Sequence, residues 1–113
     1  MPTPRSAPLG SAMAFSTLFT QAAERDRDAI VDYLLETLQS RQAAGCFLDE
    51  LDRLIEVLEE LPESFPRAQD RYLAALDLRK APCMNYLVLC RVEGDTVYLM
   101  RIFHQAQDYA RLV

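Results

Sequence analysis

The sequence predicts an α+β fold in which an N-terminal strand and an antiparallel helix hairpin pack on one face of a mostly antiparallel sheet. The first half of the chain contains two stretches with apolar residues at three- and four-residue spacing, the pattern of amphipathic helices. The last third contains two apolar segments on either side of Gly94 and Asp95, a pair that suits a two-residue hairpin loop. Helices followed by strands are typical of the α+β class.

The length of the chain indicates a single domain. Its 113 residues are enough for one hydrophobic core and too few for two domains. Residues 1–12 contain three of the six prolines and lack the apolar stretch of a secretory signal, so we interpret them as a disordered leader. The domain then covers residues 13–113. No apolar run is long enough to span a bilayer, so a role in the membrane is not expected.

The first predicted elements are a short strand and a helix. Residues 14–19 predict the strand, because Phe15, Leu18 and Phe19 lie close together there. Thr20 is a suitable N-cap, and the helix that follows is predicted over residues 21–40. Its apolar stripe consists of Ala23, Ile30, Tyr33, Leu34 and Leu38.

The second helix has the clearest pattern in the chain. Charged residues cover one side of it, and Pro62 ends it. A link over residues 41–45 is predicted to join the two helices as an antiparallel hairpin. A coiled coil is the alternative, but the stripe is too short for it to be preferred. The apolar face consists of Phe47, Leu48, Leu51, Leu54, Ile55, Leu58 and Leu61.

A third strand and the hairpin complete the predicted sheet. The third strand is predicted over residues 73–81, after a loop, and Pro82 places it at an edge or ends it. Counting back from the two-residue loop sets the register of the hairpin. The predicted pairs are Glu93 with Thr96, Arg91 with Tyr98, Leu89 with Met100, Leu87 with Ile102 and Asn85 with His104. Residues 105–113 are predicted to form a turn and a short helix.

Both faces of the predicted hairpin are apolar, although a sheet in a small domain usually keeps one face polar. One face is expected to lie beneath the helices. It includes Arg101, which then needs an acidic partner on the first helix, because a buried Arg is rarely unpaired. The other face needs a second layer or a partner, because an exposed apolar patch marks a binding surface. We therefore expect Leu87, Leu89, Met100 and Ile102 to be exposed or to be covered by another protein.

The net charge of −5 is distributed unevenly along the chain. Residues 21–62 contain eleven acidic residues and four arginines, whereas residues 63–113 contain six acidic and seven basic residues. A protein that coats DNA or RNA usually has a strong basic surface, so this role is disfavoured. Arg79, Lys80 and Arg91 form either a modest positive rim for a nucleic-acid-bearing target or an acidic partner, or solvated charges that protect a strand edge.

Residues that could perform chemistry are few. Cys46, Cys83 and Cys90 have no metal-type spacing and are interpreted as reduced thiols, which favours a reducing cytoplasm. No nucleophile motif, metal cluster or phosphate loop occurs in the sequence. An ordinary hydrolase therefore has no support, and neither a cofactor nor a metal is expected.

Three segments, taken in order, resemble toxins of the RelE/ParE type, also known as plasmid stabilisation proteins. The first begins at Phe19 and contains the family's Phe-Thr, Ala-x-x-Asp and Ile-x-x-Tyr spacing up to Tyr33. The second is the helix from Phe47 to Pro62, and the third is the closing hairpin with its tail. The resemblance covers residues 15–113.

This resemblance implies a toxin of a type II toxin–antitoxin system that arrests growth and is bound by a cognate antitoxin. A homodimer and a toxin–antitoxin hetero-oligomer both stay open. The family pattern also couples Asp26 with Arg101 as a structural ion pair.

The resemblance implies one of two activities. Members resembling ParE poison DNA gyrase, whereas members resembling RelE cleave mRNA on the ribosome. The cleaving members place cations soon after the first Tyr of the hairpin and beyond its last strand. Here these places hold Leu87 and residues 105–107, with no cation, although cleavage needs cations to stabilise the phosphate. A ParE-like toxin acting on gyrase is therefore preferred, and an mRNA endonuclease and a non-toxic interaction module are the alternatives.

Two residues are candidates for catalysis if the activity is cleavage. His104 is either a general acid or base at the end of a strand or a surface histidine, and the surface role is preferred because no Arg cluster accompanies it. Tyr109 either stacks on a base, as in the cleaving members, or packs the tail against the sheet, and packing is preferred.

Overall fold

A four-stranded sheet and three α-helices make up the described part of the chain. The computed structural model describes residues 15–105. Its elements are β1 (Ser16–Phe19), α1 (Gln21–Asp32), α2 (Arg41–Glu60), α3 (Arg71–Ala75), β2 (Arg79–Cys83), β3 (Tyr86–Glu93) and β4 (Thr96–His104). A single π-helical turn over Tyr33–Thr37 extends α1. The predicted α+β class and order of elements are confirmed, and α3 is an additional element.

The sheet is mostly antiparallel, as predicted. Its strand order is β1-β4-β3-β2, in which only the pairing of β1 with β4 is parallel. The predicted two-residue loop between β3 and β4 is confirmed, because Glu93 pairs with Thr96. Gly94 in this loop has a φ of +59°, a conformation that glycine adopts without the steric cost of a side chain.

The hairpin follows the predicted register only near its loop. Cys90 pairs with Leu99, but the next residue of β3, Leu89, pairs with Arg101, so Met100 is an extra residue on β4. Such a bulge exchanges the two faces of a strand beyond it. The predicted pairs Leu89 with Met100, Leu87 with Ile102 and Asn85 with His104 are therefore wrong, and the observed ones are Leu89 with Arg101, Leu87 with Phe103 and Tyr86 with His104.

The helix hairpin is confirmed, but its link lies earlier than predicted. Ser40 is the N-cap of α2, and its hydroxyl accepts a hydrogen bond of 3.0 Å from the backbone N–H of Ala43. The predicted link over residues 41–45 is therefore helical, and the chain turns at residues 38–40, where Gln39 has a φ of +50°. Pro62 follows the end of α2, as predicted.

The main core lies between the helix hairpin and one face of the sheet. From α2 it includes Phe47, Leu51, Leu54, Ile55 and Leu58, which confirms most of the predicted stripe. From the sheet it includes Val88, Cys90, Val97, Leu99 and Ile102. Ile102 is in this core because the bulge at Met100 moved it from the face on which the sequence places it.

The opposite face of the sheet is covered by the chain itself. Ala68, Leu73 and Leu78 form a second core with Leu87, Leu89 and Phe103, and Met100 packs against it half-buried. Leu87 is 5% exposed and Leu89 is fully buried. The predicted exposure of Leu87, Leu89 and Ile102 is therefore wrong, because the segment predicted as loop and strand over residues 63–81 contains α3 and forms a second layer.

The strand that precedes the hairpin, predicted over residues 73–81, begins later than predicted. Residues 73–75 belong to α3, whose N-cap Asp70 accepts hydrogen bonds from the backbone N–H groups of Tyr72 and Leu73, and the strand is β2. Pro82 lies inside β2, which is an edge strand, as its missing N–H requires. The predicted leader over residues 1–12 and the predicted tail beyond Gln105 lie outside the described residues. No helix within residues 15–105 is long and apolar enough to cross a membrane.

Candidate functional site

A groove of about 530 Å³ lies between the end of α1 and the open end of the β3–β4 hairpin. One wall is formed by α1, the π turn and Leu38, and the other by the first residues of β3 and the last residue of β4. The groove is lined by Ala29, Ile30, Tyr33, Leu34, Leu38, Asn85, Tyr86 and His104. A concave and largely apolar surface with a few polar groups is the usual form of a binding site.

The α1 wall is fixed to the edge of β4 at the point where β1 ends. Thr20 is the N-cap of α1, and its hydroxyl also donates a hydrogen bond of 2.8 Å to the carbonyl oxygen of Met100. Two turns further, Asp26 accepts a hydrogen bond of 2.9 Å from the backbone N–H of Ile102. Side chains of α1 therefore satisfy backbone groups that a neighbouring strand would otherwise pair.

Asp26 and Arg101 form the ion pair that the sequence predicts. Asp26 Oδ2 lies 2.7 Å from Arg101 Nε, and Asp26 Oδ1 lies 3.2 Å from a terminal guanidinium nitrogen, so the pair is bidentate. The side chains are 17% and 28% exposed, and the guanidinium lies over the Phe103 ring at 4.5 Å. The carboxylate thus accepts three hydrogen bonds, two of them from a charged donor. This geometry positions α1 against the sheet.

Tyr86 joins the lining of the groove to the core through contacts between aromatic rings. Tyr86 packs edge-on between Phe47, at 5.1 Å between centroids, and His104, at 5.6 Å. Burial raises the pKa of Tyr86, and the neighbouring Tyr33 and Cys83 raise it further. The Tyr86 phenol is therefore protonated at neutral pH and can donate a hydrogen bond to a molecule in the groove.

The groove offers no cation for phosphate chemistry. No Lys or Arg is among its described lining residues. Leu87, at a place where a cleaving relative has a cation, is buried in the second core. The Gln105 amide donates hydrogen bonds to the carbonyl oxygens of Met84 and Tyr86, so it holds the open end of the hairpin. Tyr109, the other candidate for catalysis, lies outside the described residues.

A family model identifies the chain. The model of the ParE toxin of the type II toxin–antitoxin system parDE matches residues 17–109. The chain belongs to the ParE toxin family. It is thus a ParE/RelE-type toxin of a toxin–antitoxin system, as the resemblance in the sequence implies.

Solved structures support the same fold. The chromosomal ParDE toxin–antitoxin system from P. aeruginosa matches with a TM-score of 0.65 and 18% identity, over 83% of this chain and 98% of that one. The toxin–antitoxin complex RelBE2 from Mycobacterium tuberculosis matches with a TM-score of 0.58 and 20% identity, over 86% of this chain and 98% of that one. At these identities the likeness shows the fold alone. No curated protein matches the chain significantly.

In this ParE-family toxin, the predicted basic rim is largely engaged in structural contacts. Arg79 donates a hydrogen bond of 2.7 Å to the carbonyl oxygen of Phe65 and so holds the loop before α3. Arg91 pairs with Glu93 at 2.9 Å, and Lys80 is half-buried opposite Leu89. None of the three lines the groove. Their role in binding a target or an antitoxin, like that of Met100, stays a prediction.

The groove itself was not predicted from the sequence of the toxin. The apolar spacing places Tyr33 and Leu38 in the core, but they are 50% and 53% exposed. The π turn inserts one residue into the helical turn, and this rotates the residues after Asp32 relative to a regular α-helix. The backbone N–H of Leu38 donates a hydrogen bond of 3.1 Å to the carbonyl oxygen of Tyr33, five residues earlier, and the apolar spacing of the sequence does not indicate this bond.

Proposed function

We propose that the toxin arrests growth in the cytoplasm by acting on DNA gyrase, and that its cognate antitoxin neutralises it by occupying the groove. The observation that supports the gyrase target most directly is the absence of a cation from the described lining of the groove beside His104. Cleavage of a phosphodiester requires preorganised positive charge around the phosphate. Gyrase poisoning requires only a binding surface. Membership of the ParE family favours the same target.

The groove is a better antitoxin site than a face of the sheet. The face on which the sequence predicts a partner is covered by the second core. At the groove, Tyr33 and Leu38 expose about half of their surface, and a cluster of exposed apolar residues is a common feature of interfaces. Both similar structures come from toxin–antitoxin systems, which supports an antitoxin partner for this chain.

The gyrase target predicts loss of DNA supercoiling. Induction of the toxin alone should arrest growth, and the purified toxin should inhibit supercoiling of a relaxed plasmid by DNA gyrase. Coexpression of the protein encoded beside it should restore growth. Absence of growth arrest would instead support a non-toxic interaction module. Growth arrest with normal supercoiling would exclude gyrase as the target and leave the toxin assignment intact.

The groove prediction is tested by a variant with Tyr33→Ala and Leu38→Ser. Truncating buried anchors of an interface commonly weakens binding by 2 kcal/mol or more, which is roughly a thirtyfold change in Kd. We expect this variant to stay toxic but to resist neutralisation by the adjacent gene product. A matched control with Leu48→Ser and Tyr72→Ala removes similar exposed apolar area elsewhere and should be neutralised normally. Equal neutralisation of both variants would place the antitoxin elsewhere on the toxin.

A further inference from the structure

We infer that the groove selects a basic amphipathic helix, in which Lys or Arg residues flank the apolar residues that enter the groove, and rejects an acidic one. This inference rests on the proposed use of the groove by an antitoxin and specifies the chemistry of the segment that binds there. Three observations support it. Acidic residues flank the helical wall, these acids destabilise the helix that carries them, and backbone groups of the nearby strand edges are already hydrogen-bonded or missing.

Acidic residues flank the largely apolar helical wall of the groove. Asp28, Asp32 and Glu36 are exposed, and no Lys or Arg occurs between residues 28 and 40. Asp28 contacts the neighbouring Arg27 at 3.2 Å. Asp32 directly precedes the groove residue Tyr33, Glu36 lies three residues after it, and neither acid forms an ion pair within residues 15–105. Their charges are therefore available to a bound partner.

Asp32 and Glu36 lie at positions where a negative charge destabilises the helix. The last turn of α1 and the π turn contain no basic residue, although the negative end of the helix dipole favours cations there. Asp28, Asp32 and Glu36 also follow one another at four-residue spacing, at which like charges repel. Local choices that oppose the stability of an element are typical of functional sites. A cationic partner would relieve both unfavourable interactions.

The opposite wall does not balance this charge with a cation. Asn85, Tyr86 and His104 line it, and the adjoining Met84 and Gln105 are uncharged. Burial raises the pKa of the Cys83 thiol, and the negative charge of Glu50 on α2 raises it further. Glu50 therefore adds negative charge near this wall rather than positive charge. The bases nearest in the chain to the groove lining already have acidic partners, since Arg27 pairs with Asp28 and Arg101 pairs with Asp26. The field in the groove therefore favours a positive partner.

The nearby strand edges favour a helical partner. Edge groups of β4 are bonded to α1 through Thr20 and Asp26, as described above. On β2, the backbone N–H of Lys80 donates to the carbonyl oxygen of Pro66, and Pro82 has no N–H. Adding a strand needs free backbone donors and acceptors, whereas an amphipathic helix binds a groove through its side chains.

Two labelled peptides of about 18 residues, long enough for five helical turns, test the inference on the full-length toxin. They share one leucine stripe, and the flanking positions are Lys in one peptide and Glu in the other. At low salt we expect the Lys peptide to bind about tenfold more tightly than the Glu peptide by fluorescence anisotropy. The difference should shrink at about 1 M salt, because salt screens exposed charges. Tyr33→Ala should weaken binding of the Lys peptide.

Charge reversal on the helical wall should reverse this preference. A variant with Asp32→Lys and Glu36→Lys should bind the Glu peptide more tightly, and it should melt a few degrees higher because the helix dipole is then balanced. The control Asp49→Lys and Glu60→Lys makes the same change in net charge at exposed positions of α2 and should keep the original order.

Equal binding of the two peptides, absence of binding, or the same reversal in the control would each overturn the inference. The growth and supercoiling experiments do not depend on these peptides. Failure here is therefore distinguishable from failure of the proposed toxin function.

Discussion

We expect Asp26→Ala to lower the free energy of unfolding by about 3–5 kcal/mol, a large part of the stability of a domain of this size. The substitution removes the acceptor of three hydrogen bonds and leaves the Arg101 guanidinium and the backbone N–H of Ile102 without it. Because both side chains are mostly shielded from water, loss of the carboxylate that faces the guanidinium is costly at this place. Chemical denaturation of the purified variant measures the loss.

Related variants separate the ion pair from the backbone contact. Asp26→Asn keeps an oxygen that can accept from Ile102 but removes the charge, so it should lose less stability than Asp26→Ala. Arg101→Ala should also destabilise the domain strongly, since it leaves the carboxylate partly buried with one of its three hydrogen bonds. The double variant should lose less than the sum of the two single alanine variants, because the residues interact directly. A thermal melt of Arg101→Ala close to that of the unchanged protein would contradict a structural role.

The elements that follow from local sequence patterns were predictable. The α2 helix has a long apolar stripe with a proline after it, and the hairpin has a glycine at the one position of positive φ in its loop. Each of these signals depends on residues close together in the chain. The Asp26–Arg101 pair joins distant residues, but a buried Arg demands an acid, and the family pattern supplied the acid.

The bulge at Met100 was not predictable by counting from the loop. The loop fixes the register of the pairs next to it, whereas the register further along depends on tertiary contacts. Thr20 and Asp26 bond to the backbone of Met100 and Ile102, so the edge of β4 is held by a helix from the other end of the chain. Ile102 changed faces for this reason, and the prediction that it is exposed failed.

The second core and the groove both depend on short irregular elements. α3 has only five residues, too few for a clear helical period, and its N-cap Asp70 was the available signal. It covers Leu87 and Leu89, which the predicted fold of four strands and two long helices leaves exposed. The groove joins Tyr33 with Tyr86, which lie far apart in sequence, and it depends on a π turn that apolar spacing alone does not specify.

The toxin is expected not to cut mRNA on translating ribosomes at a rate comparable to an active RelE-type enzyme. Removing one preorganised donor from a charged transition state typically slows a reaction about a hundred- to a thousandfold. Here two cationic places of the cleaving relatives are occupied by Leu87, which is buried, and Gln105, whose amide is bonded to two backbone carbonyls. Primer extension on mRNA from an in vitro translation reaction would measure the cleavage.

The variant His104→Ala distinguishes the two activities in that experiment. It lies exposed at the end of β4, against Tyr86, and is the only histidine in the chain. If the protein is a gyrase poison, its action needs no general acid or base from His104, so His104→Ala should change toxicity by about threefold or less, as an ordinary surface substitution does. If the protein is a nuclease, the same substitution removes the general acid or base and should abolish the cuts. Codon-positioned cuts that disappear in His104→Ala would overturn the gyrase proposal and establish that the groove is a catalytic site.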